Sequence, residues 1–190
     1  MEPIVGLLLA AGQGRRFGSD KLLHPLEDGT PMAVVAARRL KAACPSCIAV
    51  LRPEQTVLAG LLAAEGLGTV LCAEARDGMG HSLAAGVAAS PAAGGWLVAL
   101  GDMPFIEPHT LRQVAGALEA GASLAAPWFK GRRGHPVGFA ACWREGLLAL
   151  AGDAGARDIL GGHSGALLRI DTTDPGVLRD VDTPRDLAPG

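Results

Sequence analysis

The chain has 190 residues, 49% hydrophobic and 19% charged, with a net charge of −2 at pH 7. This globular composition, large enough for one substantial core, excludes a disordered chain and a basic nucleic-acid-binding surface. Aromatic residues reach only 4% and tyrosine is absent, which argues against stacking along single-stranded nucleic acid, and no apolar run approaches the roughly 18 residues that span a bilayer.

The first apolar run, residues 4–11, lacks a basic segment before it and is read as a core strand, not a signal sequence. The chain is accordingly expected to be soluble and cytoplasmic, with no nucleic-acid or membrane partner. In chain order, strands are predicted over residues 4–9, 48–51, 69–72, 96–100, 123–127, 137–139, 167–170 and 177–181. Helices are predicted over 32–43 (opened by Pro31), 53–65, 80–89, 108–120, 142–150 and 155–160, with a basic turn at 130–134. Strands alternating with amphipathic helices imply one α/β domain over residues 1–190: a doubly wound, mainly parallel, Rossmann-like sheet with helices on both faces.

The apolar run Leu7-Leu8-Leu9-Ala10-Ala11 breaks into a loop holding Gly12, Gly14 and Gly18 with the cations Arg15, Arg16 and Lys21. Bare backbone N–H groups and basic side chains at a strand end suit a polyphosphate. In a strand order 3-2-1-4 this loop lies beside Asp102, at the end of the fourth strand, and a divalent metal between them would make chemical sense. Two other phosphate motifs are rejected. Gly12-x-Gly14-x-x-x-Gly18 has one residue too many for a dinucleotide fingerprint, and Arg52 lies 40 positions after Gly12 where a ribose-reading group is expected after roughly 20. Lys21 stands between Asp20 and Leu22, which is no Walker loop. Cys44-Pro45-Ser46-Cys47 is a lone Cys-x-x-Cys after a helix, and an inert pair is expected.

The stretch from Leu9 to Lys21 resembles the signature L-A-[AG]-G-x-S-x-R-M-G-x-x-K of molybdenum-cofactor nucleotidyltransferases, with Gly14 and Phe17 as mild departures. Similar stretches follow in order: Gly78-Met79-Gly80-His81-Ser82-Leu83, Gly101-Asp102-Met103-Pro104, Gly134-His135-Pro136-Val137, Gly152-Asp153-Ala154-Gly155-Ala156-Arg157 and Asp180-Val181-Asp182-Thr183-Pro184. Ala11 resembles the cytidylyl branch, which reads L-A-A-G where guanylyl members read L-A-G-G.

The resemblance implies transfer of CMP from CTP to the terminal phosphate of molybdopterin, with Mg²⁺ as cofactor and a molybdenum hydroxylase as recipient of the product. It implies nucleotide binding by Leu9, Ala10, Ala11, Gly12, Gly14, Arg16, Lys21, Ser82 and Asp102, with Arg16, Lys21 and Asp102 catalytic. Asp102 and Asp182 are the implied metal ligands, and His135 and Arg157 the implied acceptor-binding residues. Rival readings are a GTP-using guanylyltransferase, a sugar- or isoprenoid-phosphate cytidylyltransferase, and a non-catalytic molybdopterin chaperone.

Overall fold

A computed structural model describes residues 2–12, 20–153 and 155–187. Eight strands form one mixed sheet: β1 (Ile4–Leu9), β2 (Cys47–Leu51), β3 (Gly68–Leu71), β4 (Gly95–Leu100), β5 (Leu124–Phe129), β6 (Arg132–Arg133), β7 (Val137–Ala140) and β8 (Leu167–Asp171). Their order is β3-β2-β1-β4-β7-β5-β6, with β8 parallel to β5. The expected 3-2-1-4 order is therefore present, and β1–β4 are all parallel. Beyond β4 the strand β7 runs antiparallel to both β4 and β5.

The helices are α1 (Met32–Lys41), α2 (Thr56–Ala64), α3 (Met79–Ala88), α4 (Pro108–Glu119), α5 (Arg144–Leu148) and α6 (Arg157–Gly162). Side chains alternate across a strand, and β1 shows why its whole run is apolar. Ile4 and Leu8 pack with α1, α2 and α4 on one face, while Val5, Leu7 and Leu9 pack with α3, α5 and α6 on the other. Gly6 belongs to the first face, where a Cβ would lie 2.7 Å from Cys47 Sγ and 2.9 Å from Leu40 Cγ. Its bare backbone lets α1 seat against the sheet.

Two local expectations are corrected. Helix α2 begins at Thr56, not at residue 53, because Gln55 Oε1 accepts from Arg52 N at 2.7 Å and closes a turn over those residues. Residues 177–181 are not a strand; Pro175–Leu178 is a 3₁₀ turn followed by irregular chain. The buried carboxylate of Asp174 explains this. One oxygen accepts from Gly176 N, while the other accepts from Glu107 N and Thr110 Oγ1 at the start of α4. Capping two elements at once pins the segment across the sheet's carboxyl end, where Val181 N donates to Asp102 O at 2.9 Å.

Candidate active site

Strand order reverses between β1 and β4, and ligands collect at such a switch point, beyond the strands' carboxyl ends. A cavity of about 410 Å³ lies there. Leu9, Ala11, Gly12, Lys21, Ser82 and Asp102 all line it, so most of the nucleotide-binding residues expected from sequence share one wall system. Ala10 lies beneath it, 1% exposed, with its carbonyl accepting from Gln55 Nε2. Gly14 and Arg16 lie outside the described residues.

Lys21 opens a 3₁₀ turn capped by Asp20, whose Oδ1 accepts from Leu22 N. The turn buries the lysine, and its Nζ donates to Asp102 Oδ2 at 2.9 Å, Asp182 Oδ1 at 3.0 Å and Val181 O at 3.1 Å. An ammonium has three donors, and all three are used. Burial pulls the Lys21 pKa down, but hydrogen bonds and charge from Asp102 and Asp182 outweigh it and hold the value above the ordinary one. The lysine expected on a triphosphate thus gathers the two carboxylates expected on a metal.

Asp182 is positioned by its own turn: Asp186 Oδ2 accepts from Asp182 N, Thr183 N and Thr183 Oγ1. Among the described residues no cluster of three or more His, Cys, Asp or Glu side chains could hold a metal alone. Two carboxylates around one point nevertheless fit Mg²⁺, which commonly takes one or two from protein and its other oxygens from phosphates and water.

Ser82 is buried in the first turns of α3, but Gly78, with φ 138°, occupies the N-cap position. A Cβ on Gly78 would overlap the Gly152 carbonyl, and Gly80 N donates to Gly152 O at 2.9 Å. This close approach brings Asp153 to the cavity wall, beside Met79 and Arg76. Asp153 and Met79 stand in stretches that carry the family resemblance but had no role of their own, and Arg76 was not among the expected residues. The glycine pairs at 78/80 and 152/155 were the available signal.

A second cavity, of about 170 Å³, shares Leu9, Met79, Leu100 and Asp153 with the first. His135 and Arg157 line it, with Arg133 and an apolar wall that includes Leu83, Val98 and Phe139. His135 is held by its backbone N donating to Val177 O and precedes a cis Pro136. Its Nδ1 is buried and finds no hydrogen-bond partner among the described residues. Burial pushes the imidazole below its ordinary pKa, against the upward pull of Asp102. Arg132 is exposed and lines neither cavity. Cys44 and Cys47 are free and buried, with thiol pKa values pushed up to about 12 and about 11 chiefly by burial, which leaves no reactive thiolate.

The model of the MobA-like NTP transferase domain matches residues 6–167. The purine catabolism protein PucB of Bacillus subtilis is 30% identical, with 96% of this chain and 93% of that protein covered. The nicotine blue oxidoreductase of Paenarthrobacter nicotinovorans is 32% identical, with 95% and 92% covered. Among solved structures, Rv0371c of Mycobacterium tuberculosis superposes with a TM-score of 0.84 at 27% identity, covering 97% of this chain and 95% of that one. Rv0371c has also been solved in complex with manganese, with a TM-score of 0.81 at 26% identity and the same coverage. Among the described residues no helix is long and apolar enough to cross a membrane.

Proposed function

The chain belongs to the MobA-like NTP transferase domain family, and from that premise we propose that it transfers CMP from CTP to the terminal phosphate of molybdopterin, releasing pyrophosphate. The observation carrying this reading is one cavity lined by Ala11, Gly12, Lys21, Ser82 and Asp102 that adjoins a second lined by His135 and Arg157. A nucleotide in the first would meet an acceptor in the second.

The acceptor is a phosphate monoester, largely dianionic at pH 7 because its second pKa is about 6. One of its oxygens forms the new bond to the α-phosphorus, and the bond from that phosphorus to the pyrophosphate oxygen breaks. The nucleophile already carries its charge, so no general base is needed, and the role left to His135 is binding. Arg157 would pair with the acceptor phosphate, and Arg16 with the triphosphate. Lys21 contacts a phosphate oxygen only by exchanging one of its three present acceptors for it. Asp102 and Asp182 would hold Mg²⁺; use of a divalent metal is supported by the manganese complex of the mycobacterial relative. When bound, the ion would supply charge stabilisation at the α-phosphate and the departing pyrophosphate. Positioning and charge neutralisation carry the rest.

The methyl of Ala11 at the cavity wall favours a pyrimidine over a larger purine. A cytoplasmic location and delivery to a molybdenum hydroxylase belong to the same reading. The test is pyrophosphate release with molybdopterin and Mg²⁺ across CTP, GTP, ATP and UTP, CTP being the expected donor. Preference for GTP would replace the cytidylyl assignment by a guanylyl one. Molybdopterin binding without turnover would favour the chaperone, and NAD(P)H oxidation without pyrophosphate release would overturn nucleotidyl transfer.

A further inference from the structure

Three successive carbonyls where β1 ends are held by side chains of one short turn. Gln55 Nε2 donates to Ala10 O at 3.0 Å, and Arg52 Nη1 donates to Ala11 O and Gly12 O, each at 2.6 Å. Neither clamp is a surface accident: Gln55 is 4% exposed, and the Arg52 side chain 12%. Gln55 also fixes Arg52 through its bond from Arg52 N.

In a trans peptide the C=O and the following N–H point in opposite directions. Turning the carbonyls of Ala10 and Ala11 toward Gln55 and Arg52 therefore turns the N–H groups of Ala11 and Gly12 the other way. Both residues line the first cavity. The guanidinium sits on the carbonyl side and polarises these peptides, which strengthens the partial positive charge on the amide hydrogens that point away from it. Glu54 Oε1 extends the clamp, accepting from Arg52 Nε at 3.1 Å and from Arg76 Nη2 at 2.7 Å, and Arg76 lines the same cavity.

We propose that Arg52 and Gln55 are positioning residues that aim the Ala11 and Gly12 amides at the nucleotide, and that Glu54 straps Arg76 to this clamp at the cavity mouth. This rests on the reading that the first cavity takes a nucleoside triphosphate. The arginine that fails as a ribose reader acts on the backbone instead.

The experiment is calorimetric titration of CTP with Mg²⁺, with no acceptor, into wild type, Arg52→Met, Arg52→Lys and Glu54→Gln, alongside steady-state kinetics. Arg52→Met is expected to weaken CTP about tenfold, the scale of a charge-assisted hydrogen bond, raising KM for the nucleotide far more than it lowers kcat. Arg52→Lys restores little, because an ammonium lacks the fork that reaches both carbonyls and Glu54. Amide exchange at Ala11 and Gly12 should quicken in Arg52→Met, a readout that general destabilisation would not confine to these two residues. If Arg52→Met does not fold, Glu54→Gln decides, with about a threefold loss of CTP affinity expected from one weakened charged contact. Wild-type affinity in the variants that fold, or full rescue by lysine, overturns the proposal while sparing the nucleotide reading. A wild type that binds no nucleotide overturns both.

Discussion

The two adjoining cavities treat their polar groups in opposite ways. In the first, Lys21 uses every donor it has on Asp102, Asp182 and Val181, so the protein itself satisfies its cation. In the second, His135 Nδ1 is buried without a partner among the described residues, a shortfall that a ligand offering a hydrogen bond would meet. Ligand binding in the first chamber is therefore an exchange of partners, and in the second a net gain of one. The first should discriminate by charge and geometry. The second should reward any ligand that offers one well-placed donor or acceptor to a neutral imidazole.

Asp102→Asn tests the exchange most severely. It keeps the shape but removes the charge that balances Lys21, and transfer should fall by about 10³-fold, the order seen when one charge-stabilising group leaves a preorganised site. Thermal unfolding checks that the fold survives. Near-normal turnover with Mg²⁺ would remove Asp102 from the metal role.

Lys21→Met comes next, with a loss in turnover of about 10²-fold. It also strips two carboxylates of their counter-ion. Breaking a buried pair costs several kcal/mol, but Asp182 is 48% exposed, so about 1–2 kcal/mol is the discounted expectation. Mn²⁺ without nucleotide should raise the Tm of this variant more than that of wild type, because the cation takes the place of the missing ammonium. Equal shifts in both would mean that Lys21 does not compete for the metal position.

These contacts mark the limit of what the sequence could show. The alternation of strand and helix follows local periodicity and is present in the fold. The 3-2-1-4 order also brought Lys21 to Asp102 in outline. The identity of Lys21's partners did not follow, since they lie 81 and 161 positions away and no local pattern encodes such pairings. Residues 177–181 failed for a related reason. Their apolar spacing suits a strand, but Asp174, bonded to residues at the start of α4, bends the chain into a turn. Arg52 was rejected as a ribose reader and left without a role, because its acceptors are backbone carbonyls 40 and 41 positions away that no local pattern marks.

Ala11→Gly makes a milder change in the first chamber. It removes one methyl from the cavity wall and leaves the charges alone. A single methyl-sized contact discriminates by about tenfold, so the ratio of kcat/KM for GTP to that for CTP should rise by that order. An unchanged ratio would move base selection from Ala11 to other residues of the cavity lining, such as Arg76 and Met79.

The smallest effect concerns the second chamber and is read from stability rather than turnover. His135 has a folded-state pKa below its ordinary value because burial disfavours the imidazolium. As pH falls below about 6.5, the unfolded chain takes up this proton before the folded one does, and the balance moves toward unfolding. The contribution of His135 is thus complete above that pH and is lost as pH drops through the folded value. His135→Asn lacks it, so the wild-type advantage in Tm should shrink steadily as pH falls below about 6.5. The lowered carboxylates Asp28, Glu54, Glu65 and Asp186 lose stability at more acid pH in both proteins and cancel in the difference. Parallel curves would mean that the imidazole accepts its proton in the folded state as readily as in the unfolded one. The second chamber would then be as well satisfied as the first, and the contrast between them would fail.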